Sequence, residues 1–323
     1  HLLPSSLQKL DCSGCPGLNN KAIKGLEHCK NLQELGLSGT AVTGENFHLL
    51  SSLLQKLDCS GCRALNNTAI EGLEHCKNLQ ELGLSDTKVT GENFHLLSSA
   101  LKKLNCNGCG ALVDRVIEEL THCVKLQELD LTWTAVTGNN FLLLPISLKK
   151  LICKWCSKLI NNFTAGLTHC ENLQELDFSN CSTLTDMTLA TLRDLKNLQV
   201  LSLCSTDITG EYFNWLPISL QYLNCDKCKL IDDEAIALLQ DFKNLKTLIL
   251  SNTEVTGKNL HLLPISLQYL NCNGCHKLRD PDMDGLAHCI HLQNLEIEDT
   301  EITDQPWPQL PKSLKIRYDG SFE

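Results

Sequence analysis

Aromatic side chains are scarce in this sequence: 5% of 323 residues, with four tryptophans, four tyrosines and eight phenylalanines. Any core must therefore be aliphatic, and a tryptophan that packing does not require stands out. No apolar run approaches the roughly 20 residues of a membrane-spanning helix, and the opening residues carry no recognisable secretory leader. Basic residues number 28 against 38 acidic ones, giving a formal net charge of −10 and a pI near 5.6, and they are not clustered. Nucleic acid and anionic membranes both demand a basic footprint, so neither is expected as a partner. The sequence also lacks a glycine-rich phosphate loop after a strand, a G-x-S-x-G elbow and any pair of carboxylates out of step with its pattern. No catalytic residue is assigned, and an enzyme is not expected. Cysteine, at nineteen, is the exception to this austerity.

What fills the chain is repetition. A leucine-led phrase returns fourteen times, starting at Leu7, Leu32, Leu54, Leu79, Leu101, Leu126, Leu148, Leu173, Leu198, Leu220, Leu245, Leu267, Leu292 and Leu314. The steps alternate between 25 and 22 residues, with one doubled 25-residue step between Leu173 and Leu198. Self-similarity at a short fixed period decides the architecture before local propensity does. Each unit opens L-x-x-L-x-[LC]-x-x-[CT], the alternation of a strand with one buried face. In the long unit Ile23, Leu26 and Cys29 follow at helical spacing, predicting a short amphipathic helix behind the strand. The short unit, with Val42, Phe47 and Leu50, leaves room for a single 3₁₀ turn. One strand and one returning helix cannot bury their own apolar faces, so neighbouring units must stack. The segment Leu7–Ser52 differs from Leu54–Ser99 at six of 46 positions, the mark of a duplicated pair of units.

The phrase resembles the leucine-rich repeat along essentially the whole chain. Cysteine nine places into the repeat, and another three before the next leucine as in Cys29-Lys30-Asn31-Leu32, is similar to the subtype found behind F-box domains. The V-T-G-x-N-F phrase of the short units is similar to bacterial repeats. The resemblance implies an α/β solenoid, a right-handed horseshoe of about 13 to 14 repeats with a concave parallel β-sheet and short helices on the convex side. It also implies a binding role without naming a partner. Residues 1–323 are expected to form one such domain. His1-Leu2-Leu3-Pro4 matches His261-Leu262-Leu263-Pro264 inside a short unit, so the sequence is expected to begin mid-repeat, after missing upstream residues. Residues 303–323, with Asp304-Gln305-Pro306-Trp307-Pro308, are expected to close the array, Trp307 falling on the Phe47 register.

Six C-x-x-C pairs, among them Cys12/Cys15, Cys59/Cys62 and Cys225/Cys228, would each suggest zinc or thiol–disulfide chemistry in isolation. The repeat register argues otherwise. Cys12 stands where neighbouring units place Leu37, Leu84 and Leu131, and is expected in the core. Cys15 stands where they place Thr40, Thr87 and Thr134, a turn position. Cys29 gives way to Leu195 and Phe242 in later units, which no metal site would survive. Neither a metal nor a cofactor is expected, and so many unpaired thiols point to a reducing compartment, the cytoplasm or the cytosol of a host cell. Sequons at Asn66, Asn162 and Asn180 are then chance. Asp280-Pro281-Asp282 mimics the start of a calcium loop, but His291 stands where the loop needs Glu. Asp280 is expected as a helix N-cap with Pro281 at N1. His28, His75, His122, His169 and His288 precede a cysteine near a helix end, where they would serve the dipole and face partly outward.

Function is to be sought where the repeat breaks. The third position reads Lys9, Glu34, Lys56, Glu81, Lys103, Glu128, Lys150, Glu175, a ladder whose alternating charges satisfy one another. From the ninth unit the row becomes Val200, Tyr222, Thr247, Tyr269, Asn294. The fifth position adds Ile152 and Ile249, and the eighth, usually Gly or Asn, carries Trp133 and Trp155 with Lys154 alongside. Exposed aromatics beyond what packing needs anchor interfaces; the alternative is that the two tryptophans pack on each other or on the sheet rim. The expected partner surface is therefore Trp133, Ile152, Lys154, Trp155, Val200, Tyr222, Ile249 and Tyr269, on the concave face. Trp215 and Tyr212 are open to either burial or exposure. A non-catalytic protein-interaction module is the leading expectation. The alternative is the substrate-receptor part of a ubiquitin-ligase component, or of a bacterial effector acting in host cells.

Overall fold

Each leucine phrase becomes a three-residue strand. A computed structural model describes residues 3–303, 307 and 309–318, and the chain folds as two compact units, His1–Lys158 and Leu159–Glu323. The first unit holds β1 (Lys9–Asp11), β2 (Glu34–Gly36), β3 (Lys56–Asp58), β4 (Glu81–Gly83), β5 (Lys103–Asn105), β6 (Glu128–Asp130) and β7 (Lys150–Ile152). The second holds β8 (Glu175–Asp177), β9 (Val200–Ser202), β10 (Tyr222–Asn224), β11 (Thr247–Ile249), β12 (Tyr269–Asn271), β13 (Asn294–Glu296) and β14 (Lys315–Arg317). Within each unit the strands pair in chain order and in parallel, third position against third: Lys9 with Glu34 in one, Tyr222 with Thr247 in the other.

The central leucine of nearly every strand points inward. Leu57, Leu104 and Leu151, for instance, are buried, while their flanking residues stay exposed or half-buried. Behind the strands the long repeats return through α1 (Asn20–Lys24), α2 (Asn67–Gly72), α3 (Arg115–Glu119) and α4 (Asp233–Ala237), or through 3₁₀ segments such as Asp186–Asp194 and Asp280–His288. The short repeats make one 3₁₀ turn, as at Phe47–Leu49 and Phe141–Leu143. Five- or six-residue helices cannot stand alone, so they exist because their apolar edge is covered. Ile23, Leu26 and Cys29 form that edge in the first long repeat, each buried. Phe47, Phe94 and Phe141 share one register in the first unit and are fully enclosed, as is Phe213 in the second. Trp307 is half-buried on that register. The start at His1 and Leu2, and cap residues Asp304, Gln305, Pro306 and Pro308, lie outside the described residues.

Candidate functional site

The residues that look most like chemistry tie one coil to the next. None of the nineteen cysteines, all described, is in a disulfide; sixteen are buried, Cys12 and Cys204 half-buried, and Cys15 exposed. Cys12 departs from the expected core because its strand, β1, has a paired neighbour on one side only, and Cys15, expected at a turn, is exposed beside it. In the other five pairs the first cysteine fills a leucine seat; Cys59, Cys106 and Cys225 are fully buried. The second donates to a carbonyl of the preceding coil: Cys62 to Leu37 O at 3.0 Å, Cys109 to Leu84 O at 3.0 Å, Cys228 to Leu203 O at 3.0 Å. The same carbonyl receives the hydroxyl of a threonine on its own coil, Thr40 at 2.7 Å or Thr206 at 2.6 Å. Both lone pairs of a buried carbonyl are thus occupied. Thr40 Oγ1 and Cys62 Sγ also lie 3.3 Å apart. Burial pushes the thiols of Cys76, Cys123, Cys170 and Cys289 up to about 12.

The V-T-G phrase has a comparable duty. Asp186 carboxylate oxygens accept from Thr209 N and Oγ1 at 2.9 and 2.8 Å and from Gly210 N at 2.9 Å, and Asp233 binds Thr256 and Gly257 in the same way. Asn20 and Asn67 make the amide version, accepting from Thr43 N and Thr90 N and donating Nδ2 to the same threonines' Oγ1. Asp280 belongs to this set. It is not the N-cap expected from its proline; the cap position is Arg279, and the Asp280 carboxylate instead crosses to Thr303 N and Oγ1, the latter at 2.8 Å. The histidines, expected to face partly outward, are half-buried at positions 75, 122 and 288 and carry a further bond. His75, His122 and His288 turn Nε2 toward the carbonyls of Leu50, Leu97 and Leu263 one coil back, at 2.8, 2.8 and 2.6 Å.

The strand face carries the charge ladder, paired as Lys9–Glu34 at 2.6 Å, Lys56–Glu81 at 3.0 Å and Lys103–Glu128 at 2.8 Å. It floors a groove of about 320 Å³ in the first unit that reaches Asp130 and Ile152. At the rim of this face each of the first thirteen repeats turns through a left-handed residue, in most cases Gly, Asn or Asp. Two such seats hold tryptophan. Trp133 and Trp155 both have φ of 57°. Their rings are stacked, with centroids 4.7 Å apart and planes within 8°. They remain 54% and 44% exposed.

No protein-family model and no curated protein matches the sequence. Solved structures do match its fold. An internalin (inlF) from Listeria monocytogenes covers 99% of this chain and 88% of its own at 19% identity and a TM-score of 0.60. Rad7, from the yeast Rad7–Elc1 complex, covers 90% and 86% at 20% identity and 0.60. The functional domain of InlJ from Listeria monocytogenes, which includes a cysteine ladder, covers 97% and 68% at 18% identity and 0.60. The fold is a leucine-rich-repeat solenoid.

On that solenoid the sequence-predicted residues fall into two groups. In the first unit Trp133 and Trp155 stack, the Trp133 amide donates to Lys154 O at 2.9 Å, and Ile152 ends β7 half-buried at the edge of the groove. In the second unit Val200, Tyr222, Thr247 and Tyr269 stand side by side on β9 to β12, all half-buried, with Ile249 two residues beyond Thr247. The Tyr269 hydroxyl accepts from Asn271 Nδ2 at 3.3 Å, and burial raises its pKa. Trp215 is 41% exposed, and its ring centroid lies 5.7 Å from that of Tyr212 on the helix side of the second unit. Of the two readings of the tryptophan pair, the packing of one ring on the other is what the structure shows, and both rings stay partly exposed. The turn position of Cys15 and Thr40 was one whose side chain can bond neighbouring backbone, as Cys62 and Cys109 do; sequence reasoning missed the Asp-to-Thr clamps, for which the recurrence of V-T-G one repeat after an Asn or Asp was the available signal.

Proposed function

We propose that this protein is a non-catalytic protein-binding module that grips its partner from the concave, strand-lined face. The tryptophan group (Trp133, Ile152, Lys154 and Trp155) makes one contact area, and the Val200, Tyr222, Ile249 and Tyr269 row makes another. The tryptophan stack is the observation that carries this reading. Two bulky residues sit at left-handed backbone positions that elsewhere go mainly to Gly, Asn or Asp, a conformation costing on the order of 1–3 kcal/mol each. Each keeps about half of its surface open to solvent. Such strain points to a role outside folding, and large exposed aromatics are the commonest anchors of protein interfaces. The ion-paired ladder beside them adds steering and little affinity.

Replacing both by asparagine, a residue this row already tolerates at Asn180 and Asn252, tests the proposal without disturbing the turn. The Trp133→Asn/Trp155→Asn protein should keep the parent melting temperature and lose partner capture by at least about tenfold, given hot-spot magnitudes. A Lys56→Ala/Glu81→Ala protein should lose little. Undiminished capture by the tryptophan variant would refute the assignment. The reduced thiols support a cytoplasmic or host-cytosolic location.

A narrower second reading is the substrate-receptor part of a ubiquitin-ligase component or of a bacterial effector acting in host cells. The placement of cysteines in the long repeats supports the first form, as does likeness to Rad7, solved with Elc1 bound. Likeness to two Listeria internalins supports a bacterial form. Accumulation of ubiquitin on the captured partner in the presence of this protein separates the narrower reading from simple binding.

A further inference from the structure

We propose that the open face of Trp133 and the carboxylate of Asp86 together form a seat for one cationic side chain, an arginine or lysine of the protein partner. The inference rests on the reading that the tryptophan pair meets a partner, and it adds the chemistry of what is met. The 4.7 Å ring spacing equals the spacing of neighbouring strands, so the indole planes stand across the direction in which coils stack. One face of Trp133 is covered by Trp155. The other looks over the preceding coil, whose equivalent residue is Gly108, also left-handed at φ 75°.

Gly108 offers no side chain, and its place is taken. A Cβ built there would overlap Asp86 Oδ1 and lie 3.0 Å from Asp86 Cγ. The carboxylate from one coil further back therefore occupies the seat next to the uncovered indole face. Asp86 is exposed, and no hydrogen bond or ion pair engages its carboxylate among the described residues. Arg63 lines the same shallow rim groove, with Gly39 and Gly61, without pairing to it.

A carboxylate beside the electron-rich face of an indole gains nothing from that face; both groups attract a cation. A guanidinium suits them best, since it stacks flat on an aromatic ring while its edge meets a carboxylate. One carboxylate and no other oxygen donor make a poor site for a hard metal ion. A nucleic acid strand would bring phosphates to a chain of net charge −10.

The test is a titration of the ¹⁵N-labelled protein, following its indole N–H signals, with the peptide acetyl-Gly-Arg-Gly-amide and its citrulline counterpart. The arginine peptide should shift the Trp133 signal saturably, in the millimolar range, and citrulline should not. Asp86→Asn, which suits the left-handed backbone, should weaken binding about fivefold or more, and added salt should do the same. An equal response to citrulline, no response to arginine, or indifference to Asp86→Asn would each overturn the proposal. If Asp86→Asn leaves partner capture intact while the tryptophan double variant abolishes it, the interface stands and the cation seat falls. If the arginine response depends on Asp86 while both variants capture the partner as well as the parent does, the cation seat stands and the interface falls.

Discussion

A sulfhydryl at the ninth repeat position and a threonine hydroxyl in the coil before it share one leucine carbonyl, and this exchangeability has a measurable consequence. Because Thr40 and Thr87 occupy the seat that Cys62 takes between them, Cys62→Thr should change unfolding free energy in urea by less than about 1 kcal/mol. Cys59→Ser should cost about 1–3 kcal/mol, since it buries a hydroxyl in a leucine seat. The buried thiols also set an alkaline limit. Unfolded, Cys76, Cys123, Cys170 and Cys289 ionise near 9.0, whereas folded they hold their protons to about 12. Below pH 9 both states are protonated. Above it only the unfolded state releases protons, so stability present at neutral pH is lost as pH rises. Replacing these four by alanine should therefore reduce the loss of urea midpoint between pH 7.5 and about pH 10 relative to the parent, and an unchanged pH dependence would contradict their burial.

At the scale of the element, three-residue strands and five-residue helices have no independent stability, and the clamps between coils hold them in place. Gly44 shows how close the coils come. It has φ of 93°, and a Cβ on it would lie 2.5 Å from Ala69 Cα. Gly44→Ala should therefore destabilise the protein by more than about 1 kcal/mol, read as a lower urea midpoint with far-UV signal retained before the transition. The strand positions and the 3₁₀ turn at Phe47 were legible in the sequence because they follow periods of two and of one short turn within a few residues. The destination of the Asp280 carboxylate was not. Its partner, Thr303, lies a full repeat away, and local capping rules favoured a neighbour in sequence. The same limit hid the bridges from His75 and His122, whose acceptors belong to the preceding coil.

For the whole molecule, recognition and packing are separable because the repeat assigns most residues a structural duty. Trp133 and Trp155 could be singled out as departures from a Gly and Asn row. Their parallel stack and the carboxylate beside it could not be read from the sequence, since side-chain direction depends on the left-handed backbone of four successive coils. The Val200 to Tyr269 row was legible as a set because parallel pairing in register keeps one repeat position on one line.

All of this depends on the thiols being packing groups, which alkylation of the native protein followed by mass spectrometry tests most directly. Cys15 should label at once, Cys12 and Cys204 more slowly, and the sixteen buried cysteines only on unfolding. Prompt labelling at Cys59/Cys62 or Cys225/Cys228, or protection that a zinc chelator removes, would contradict it.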